Sequence, residues 1–205
     1  MNVCLPINPP RRPAGLLVRW LCPGLVWLVT CFGDAARAEE TSSSLEYEVK
    51  SAFLVKFAMF VEWPTNTVNA TNRGAFLIGI LGDDPFGARF DEAVKKETVR
   101  GRTVQLKRAK DLAELAECQI IFISASESRR LPELLQALAG KGILTVADEP
   151  GFAGRGGMIG FIKEAGKIRF EINPGAAEKA GLKVSSKLLQ VGRRVAELAT
   201  TTAAG

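Results

Sequence analysis

Three short apolar runs constrain the fold of this chain more than any other feature. They are Ala75 to Leu81, the run from Ile120 that ends at Ser124, and Ile143 to Val146. Each lacks the polar–apolar alternation of a half-exposed strand, so each suits a strand buried on both faces of a sheet. A fourth run, Thr103 to Lys107, does alternate and reads as a further strand. Segments of helical character lie between them: Asp84 to about Lys96, Asp111 to Glu117 and Glu127 to Ala139. Strands and helices alternating at this spacing predict an α/β domain, its sheet mostly parallel and covered by helices on both faces.

The flanking segments complete the expected domain. Leu45 to Trp63 has no internal glycine or proline and reads as a helix. It should end at Trp63-Pro64, because proline disfavours helical backbone in the residue before it. Val49, Phe53, Phe57 and Phe60 share a face at helical spacing and form the expected core stripe. Val55 and Met59 fall on the opposite face, beside Glu48, Ser51 and Glu62. A helix apolar on two sides is either sandwiched or offers a contact surface, and the sandwich is the preferred reading. Asp84-Pro85 reads as a cap followed by proline at the first helical position.

Beyond Asp148 the pattern changes. Gly154-Arg155-Gly156-Gly157 reads as a tight turn leading into an antiparallel hairpin, Met158 to Glu164 and Lys167 to Asn173, joined by Ala165-Gly166. Asn173-Pro174 repeats the cap-then-proline signal for a short helix that Gly181 ends. Ser185 or Ser186 then caps a final helix with Leu188, Leu189, Val195 and Leu198 as its apolar contacts.

The N-terminus reads as a secretory leader rather than as part of the fold. Arg11, Arg12 and Arg19 precede an apolar stretch from Trp20 to Phe32, and Ala36-Arg37-Ala38 has the small-x-small pattern of a cleavage site. Cleavage after Ala38 is preferred over an uncleaved anchor, since the apolar run is shorter than the roughly 20 residues of a spanning helix. Residues 1–38 are therefore expected to be removed. Residues 39–205 would form one domain, with an ordered core over 44–198, a flexible polar leader at 39–44 and a flexible tail at 199–205. The removed segment carries four arginines and one acid, so the charge falls from +5 to +2. No nucleic-acid partner follows from so weak a balance. Cys118 is the one cysteine beyond residue 38, which leaves no internal disulfide and suggests a small core residue.

The chain has no histidine. That excludes Ser-His and Cys-His nucleophile pairs and histidine metal sites. Asp83 and Asp84 follow the first buried strand, where open α/β sheets commonly bind ligands, and Ser124 ends another. These three residues form a candidate pocket for a small molecule, although capping alone explains Asp84. The glycines around Arg155 precede a strand instead of a helix, which favours a turn over a phosphate cradle. No cofactor, metal site or catalytic group is expected.

A set of motifs in order resembles the YfiR family of exported bacterial proteins. They are Ala52-Phe53-Leu54-Val55-Lys56-Phe57-Ala58-Met59-Phe60-Val61-Glu62-Trp63-Pro64, Gly82-Asp83-Asp84-Pro85-Phe86-Gly87, Leu144-Thr145-Val146 through Gly151-Phe152-Ala153, Gly156-Gly157-Met158-Ile159, Phe170-Glu171-Ile172-Asn173 and Ser185-Ser186-Lys187-Leu188-Leu189. The resemblance runs from about Leu45 to Val195. It implies a periplasmic, non-catalytic regulator that binds the periplasmic sensor region of a membrane-bound diguanylate cyclase and lowers cyclic-di-GMP output. It also implies a capacity to form homodimers. Redox control by internal disulfides does not carry over, because Cys118 has no partner beyond residue 38. A brake of this kind needs an apolar patch ringed by polar groups, and Val55, Met59, Phe152 and Arg155 are the candidate patch. The alternative function is a periplasmic small-molecule-binding module feeding a sensor kinase or transporter, with Asp83, Asp84 and Ser124 in its pocket.

Overall fold

Apolar side chains on both faces of a strand must be covered twice, and the chain supplies a layer for each face. A computed structural model describes residues 27–64 and 74–195, with side chains from Ser43 onward. The chain divides into a unit ending at Ser42 and a unit beginning at Ser43. Most of the expected leader, and the whole expected tail at 199–205, lie outside the described residues.

The elements in order are helix α1 (Trp27–Phe60), β1 (Val61–Glu62), β2 (Phe76–Leu81), α2 (Ala88–Val94), β3 (Thr98–Val99), β4 (Arg102–Ala109), β5 (Ile120–Ile123), α3 (Leu131–Leu138), β6 (Leu144–Ala147), β7 (Ile159–Glu164), β8 (Lys167–Ile172), α4 (Pro174–Lys179), β9 (Lys183–Val184), α5 (Ser186–Val191) and β10 (Arg193–Arg194). Short 3-10 turns span Leu112–Leu115, Ala125–Arg130 and Ala153–Arg155. Eight strands form one sheet in the order β10-β8-β7-β6-β5-β2-β4-β3, and β1 pairs with β9 in a two-stranded ribbon. The pairs β4–β2, β2–β5, β5–β6 and β6–β7 are parallel, and β7–β8 is the antiparallel hairpin. This is the expected α/β domain.

The two-residue period of a strand sorts the core into two layers. Ile78, Ile80, Ile120, Phe122, Leu144 and Val146 point to one face, where Leu54, Val55, Phe57 and Ala58 of α1, Val61 of β1, and Phe90 and Val94 of α2 cover them. Leu81, Ile121, Ile123 and Ala147 belong to the other layer, with Leu115, Leu131, Leu134, Leu138 and Phe152. In the first layer Phe53 and Phe57 meet Phe161 and Phe170 of the hairpin at ring-centroid separations of 5.0 to 6.1 Å. Cys118 is fully buried, and burial pushes its thiol up to about 11, so it stays protonated at neutral pH.

Several expectations are corrected. The helical backbone runs through 39–44 instead of forming a flexible leader, because nothing between Asp34 and Trp63 breaks a helix. The same helix stops at Phe60, three residues early, because Val61 and Glu62 pair with Val184 and Lys183. Its buried arc is also wider than the aromatic stripe suggested. Val55 is buried and Val49 exposed, since Leu54, Phe57 and Ala58, not Phe53 and Phe60, mark the centre of contact. Asp84 does not cap α2, for which Gly87 stands at the N-cap. The expected helix over 127–139 begins as a 3-10 turn and becomes α-helical only at Leu131, with Pro132 in its first turn. Finally α5 ends at Val191 because the chain turns at Gly192 to pair beside β8. A Cβ at Gly192 would lie 2.6 Å from the Phe170 ring, so only glycine permits this approach.

The glycine-rich stretch proves to be a seat for Phe152. A Cβ on Gly157 would fall 2.2 Å from that ring, and one on Gly160 would touch the Phe152 Cβ at 3.4 Å. Gly156 adopts φ 99°, which folds the turn back over the ring. Phe152 is consequently 0 % exposed and cannot belong to a surface patch.

A polar cluster fastens α1 to the end of β6. The Lys50 ammonium lies 2.7 Å from Glu46 and 3.0 Å from Asp148 with only 5 % of its side chain exposed, and the Tyr47 hydroxyl donates to Asp148 at 2.8 Å. Burial raises the Tyr47 phenol, and its bond to Asp148 raises it further. Burial also tends to raise Glu46, but hydrogen bonds and attraction from Lys50 and Lys163 hold it below its ordinary value of 4.5.

This packing makes three predictions. Gly157→Ala should destabilise the domain by about 2 kcal/mol, since the added methyl meets a ring that has no room to move. Equilibrium urea unfolding measures this, and a loss under about 0.5 kcal/mol would show that the seat is loose. Lys50→Ala should cost about 3 kcal/mol, because it leaves the Asp148 carboxylate buried without its cation. Glu46 has a depressed folded pKa, so its contribution is present above the ordinary Glu value and is lost as pH falls through the folded one. Unfolding midpoints measured against pH should therefore drop less steeply below about pH 4.5 in Glu46→Gln than in the parent.

Candidate interaction surface

Among the described residues, the outer side of α1 carries the most exposed large apolar side chains, together with Val191. Leu45 is 56 % exposed, Val49 44 % and Met59 42 %. Ala52 and Lys56 are exposed between them. The five positions 45, 49, 52, 56 and 59 recur at spacings of 4, 3, 4 and 3, which places them in one narrow stripe along a helix. Glu48 borders the stripe, so the apolar residues are flanked by one acid and interrupted by one base.

A groove of about 420 Å³ lies beside this stripe, between α1 and α2. Tyr47, Phe86 and Phe90 line it, and the rings of Tyr47 and Phe86 meet edge to face at 5.4 Å. Glu48 and Arg89 face each other at its rim at 3.6 Å. Both are mostly exposed, and an ion pair of that kind adds little to stability. The first half of α2 is held more firmly on its other side. Arg108 donates to both oxygens of Asp91, at 2.9 and 2.7 Å, and to Asp84 at 2.7 Å. These bonds from Arg108 hold the Asp91 carboxyl below the usual carboxylate range despite its partial burial.

The sequence-derived patch is not assembled. Val55 sits in the core layer beneath α1 and Phe152 in the layer on the other face of the sheet. Met59 and Arg155 are exposed, but on elements that cover opposite faces. What the sequence reading missed was the exposure of Leu45 and Val49. Their signal was present, since the 4-3-4-3 spacing through Met59 can be read from the chain. The choice of the aromatic residues as the stripe concealed it.

The second candidate group, Asp83, Asp84 and Ser124, lies at the loops after β2 and β5. The strand order reverses between these two strands, the usual place for a ligand crevice in an open α/β sheet. Here the loop after β2 packs against the turn after β5. A Cβ at Gly82 would lie 2.4 Å from the Ser126 Oγ and 2.9 Å from the Glu127 side chain, so the two loops are already in contact. The Asp83 amide donates to Ser126 Oγ at 2.9 Å, and its carboxylate pairs with Lys110. Asp84 accepts the Phe86 amide at 2.8 Å besides its bond from Arg108, which explains both its oxygens. Ser124 is 7 % exposed. The loop after β6 joins the same network, where the Ser128 hydroxyl donates to Glu149 and Glu149 faces Arg155 at 3.3 Å.

The domain's distinctive surface among the described residues is an apolar helix stripe with a groove at its side. Among the described residues no helix is long and apolar enough to cross a membrane. A family model described as YfiR/HmsC-like matches residues 47–193, from the second turn of the described α1 side chains to β10, and the chain belongs to that family of periplasmic regulators of diguanylate cyclase signalling.

Proposed function

We propose that this protein is an exported, non-catalytic regulator that docks on the periplasmic sensor region of a membrane-bound diguanylate cyclase and restrains it, lowering cyclic-di-GMP output. The observation that carries the reading is the exposed stripe of α1. Leu45, Val49 and Met59 are each about half in water, and full burial of such a side chain is worth about 1.5–3 kcal/mol relative to full exposure. Docking would recover roughly half of that from each, a few kcal/mol in all. Glu48 and Lys56, of opposite sign and eight residues apart, would fix the direction in which a partner lies along the helix. Met59 is retained from the sequence-derived patch in this role, while Val55 and Phe152 serve the core.

Replacing Leu45 by Asp together with Met59 by Lys should weaken capture of a cyclase's purified periplasmic segment about 100-fold, a difference of about 2.7 kcal/mol. Both side chains are surface residues, so the melting curve should stay close to that of the parent. Unchanged affinity in this double variant would remove the stripe from the docking surface. The export half of the proposal has its own check. Intact-mass measurement of protein from the periplasmic fraction should give a chain starting at Glu39, and a mass including residues 1–38 would contradict cleavage after Ala38.

A further inference from the structure

A second cavity, of about 240 Å³, opens between the end of α3, the turn at Arg155–Gly156 and α4. Its composition is one-sided. Leu135 and Met158 contribute apolar wall, Arg155 and Lys179 bring two cations, and no carboxylate of the described residues lines it. Thr145 reaches it from β6 and is 2 % exposed. Its Oγ1 accepts the Met158 amide at 3.1 Å, but the hydroxyl proton meets no acceptor among the described residues. A buried hydroxyl without an acceptor is an uncompensated donor, and such groups are rare in folded proteins. Arg155 spends its Nη2 on the Pro150 carbonyl at 3.1 Å and on Glu149 at 3.3 Å. Its Nε and Nη1 hydrogens meet no acceptor among the described residues.

We propose that this cavity binds a small monocarboxylate with a compact apolar body. The carboxylate would accept the Thr145 hydroxyl proton and lie in the field of Arg155 and Lys179, and the body would cover Leu135 and Met158. A free phosphate fits less well, because a compact dianion would be desolvated against apolar walls with nothing to replace its water there. The site is separate from the α1 stripe and from the loops that carry Asp83, Asp84 and Ser124. It goes beyond the regulatory reading and stands whether or not a cyclase is the partner.

Benzoate is a suitable probe, titrated into the purified protein and followed by amide chemical shifts. One saturable site with a Kd of roughly millimolar is expected for a ligand of this size. Benzyl alcohol, which keeps the ring and loses the charge, should bind at least about tenfold more weakly, and inorganic phosphate should show no saturable site. Arg155→Gln combined with Lys179→Gln should lower benzoate affinity about tenfold or more. Thr145→Val should weaken binding as well, and Thr145→Ser should restore it. Thr145→Val also removes the acceptor of the Met158 amide, so if that protein fails to fold the exposed double variant decides. The proposal is overturned by absence of saturable benzoate binding, by equal affinity for benzyl alcohol, by phosphate binding as tightly as benzoate, or by unchanged affinity in the Arg155/Lys179 variant.

Discussion

The structure depends on covering one face of the central strands with a helix that precedes all of them in the chain. Ile78, Ile80, Ile120, Phe122, Leu144 and Val146 present a continuous apolar surface, and α1 is the longest element laid against it. Without that cover the strands would expose one whole side, and an open parallel sheet has no polar face to offer water. The cost of the arrangement is topological. α1 leads into β1, which pairs with β9 near the other end of the chain in a ribbon separate from the main sheet, so this layer closes only when both segments are in place. The Lys50 cluster reinforces the closure by tying the same helix to the loop after β6.

The second face solves the same problem with less helix. Only α3 and short 3-10 turns are available there, and the remaining gap is filled by the ring of Phe152. This is why the glycines cluster where they do. A ring inserted from a loop needs neighbours without side chains, and Gly157 and Gly160 supply that space while Gly156 turns the backbone around it. The stretch looks like an anion cradle in sequence because both tasks ask for glycine. The difference lies in what approaches the backbone, a phosphate in one case and a phenyl ring in the other. Periodicity does not distinguish the two.

The strands, the hairpin and the caps at Asn173 and Ser185 were legible because their signals are local. The Asn173 side chain accepts the Ala176 amide and Ser185 accepts the Leu188 amide, as short-range capping rules require. The two-residue strands β1, β3, β9 and β10 were not legible, since two residues hold no periodicity and exist only through their partners. The site was harder to read for the same reason. Whether Val55 or Val49 faces water depends on how wide an arc of α1 the sheet and its neighbours cover, and no window within the helix records that width. Asp84 looked like a helix cap, yet Arg108, 24 positions away in the chain, claims one of its oxygens. Long-range partners decided each of these outcomes.

The same helix that closes the core also presents the candidate docking stripe, and this double duty has an energetic consequence. A flexible segment that orders on binding loses part of its interaction energy to lost conformational entropy, of order 1–2 kcal/mol for each backbone residue fixed. From Leu45 to Met59 the backbone of α1 is already fixed by the burial of Leu54, Phe57 and Ala58 on its inner side. A partner docking there would therefore meet residues 45, 49, 52 and 59 in one register and would not have to create it. Such a surface can be modest in area and still be selective, because a change in helix position would first have to disturb the aromatic contacts of Phe53 and Phe57 with Phe161 and Phe170. Rigidity inherited from the core makes a narrow apolar stripe usable as a recognition element.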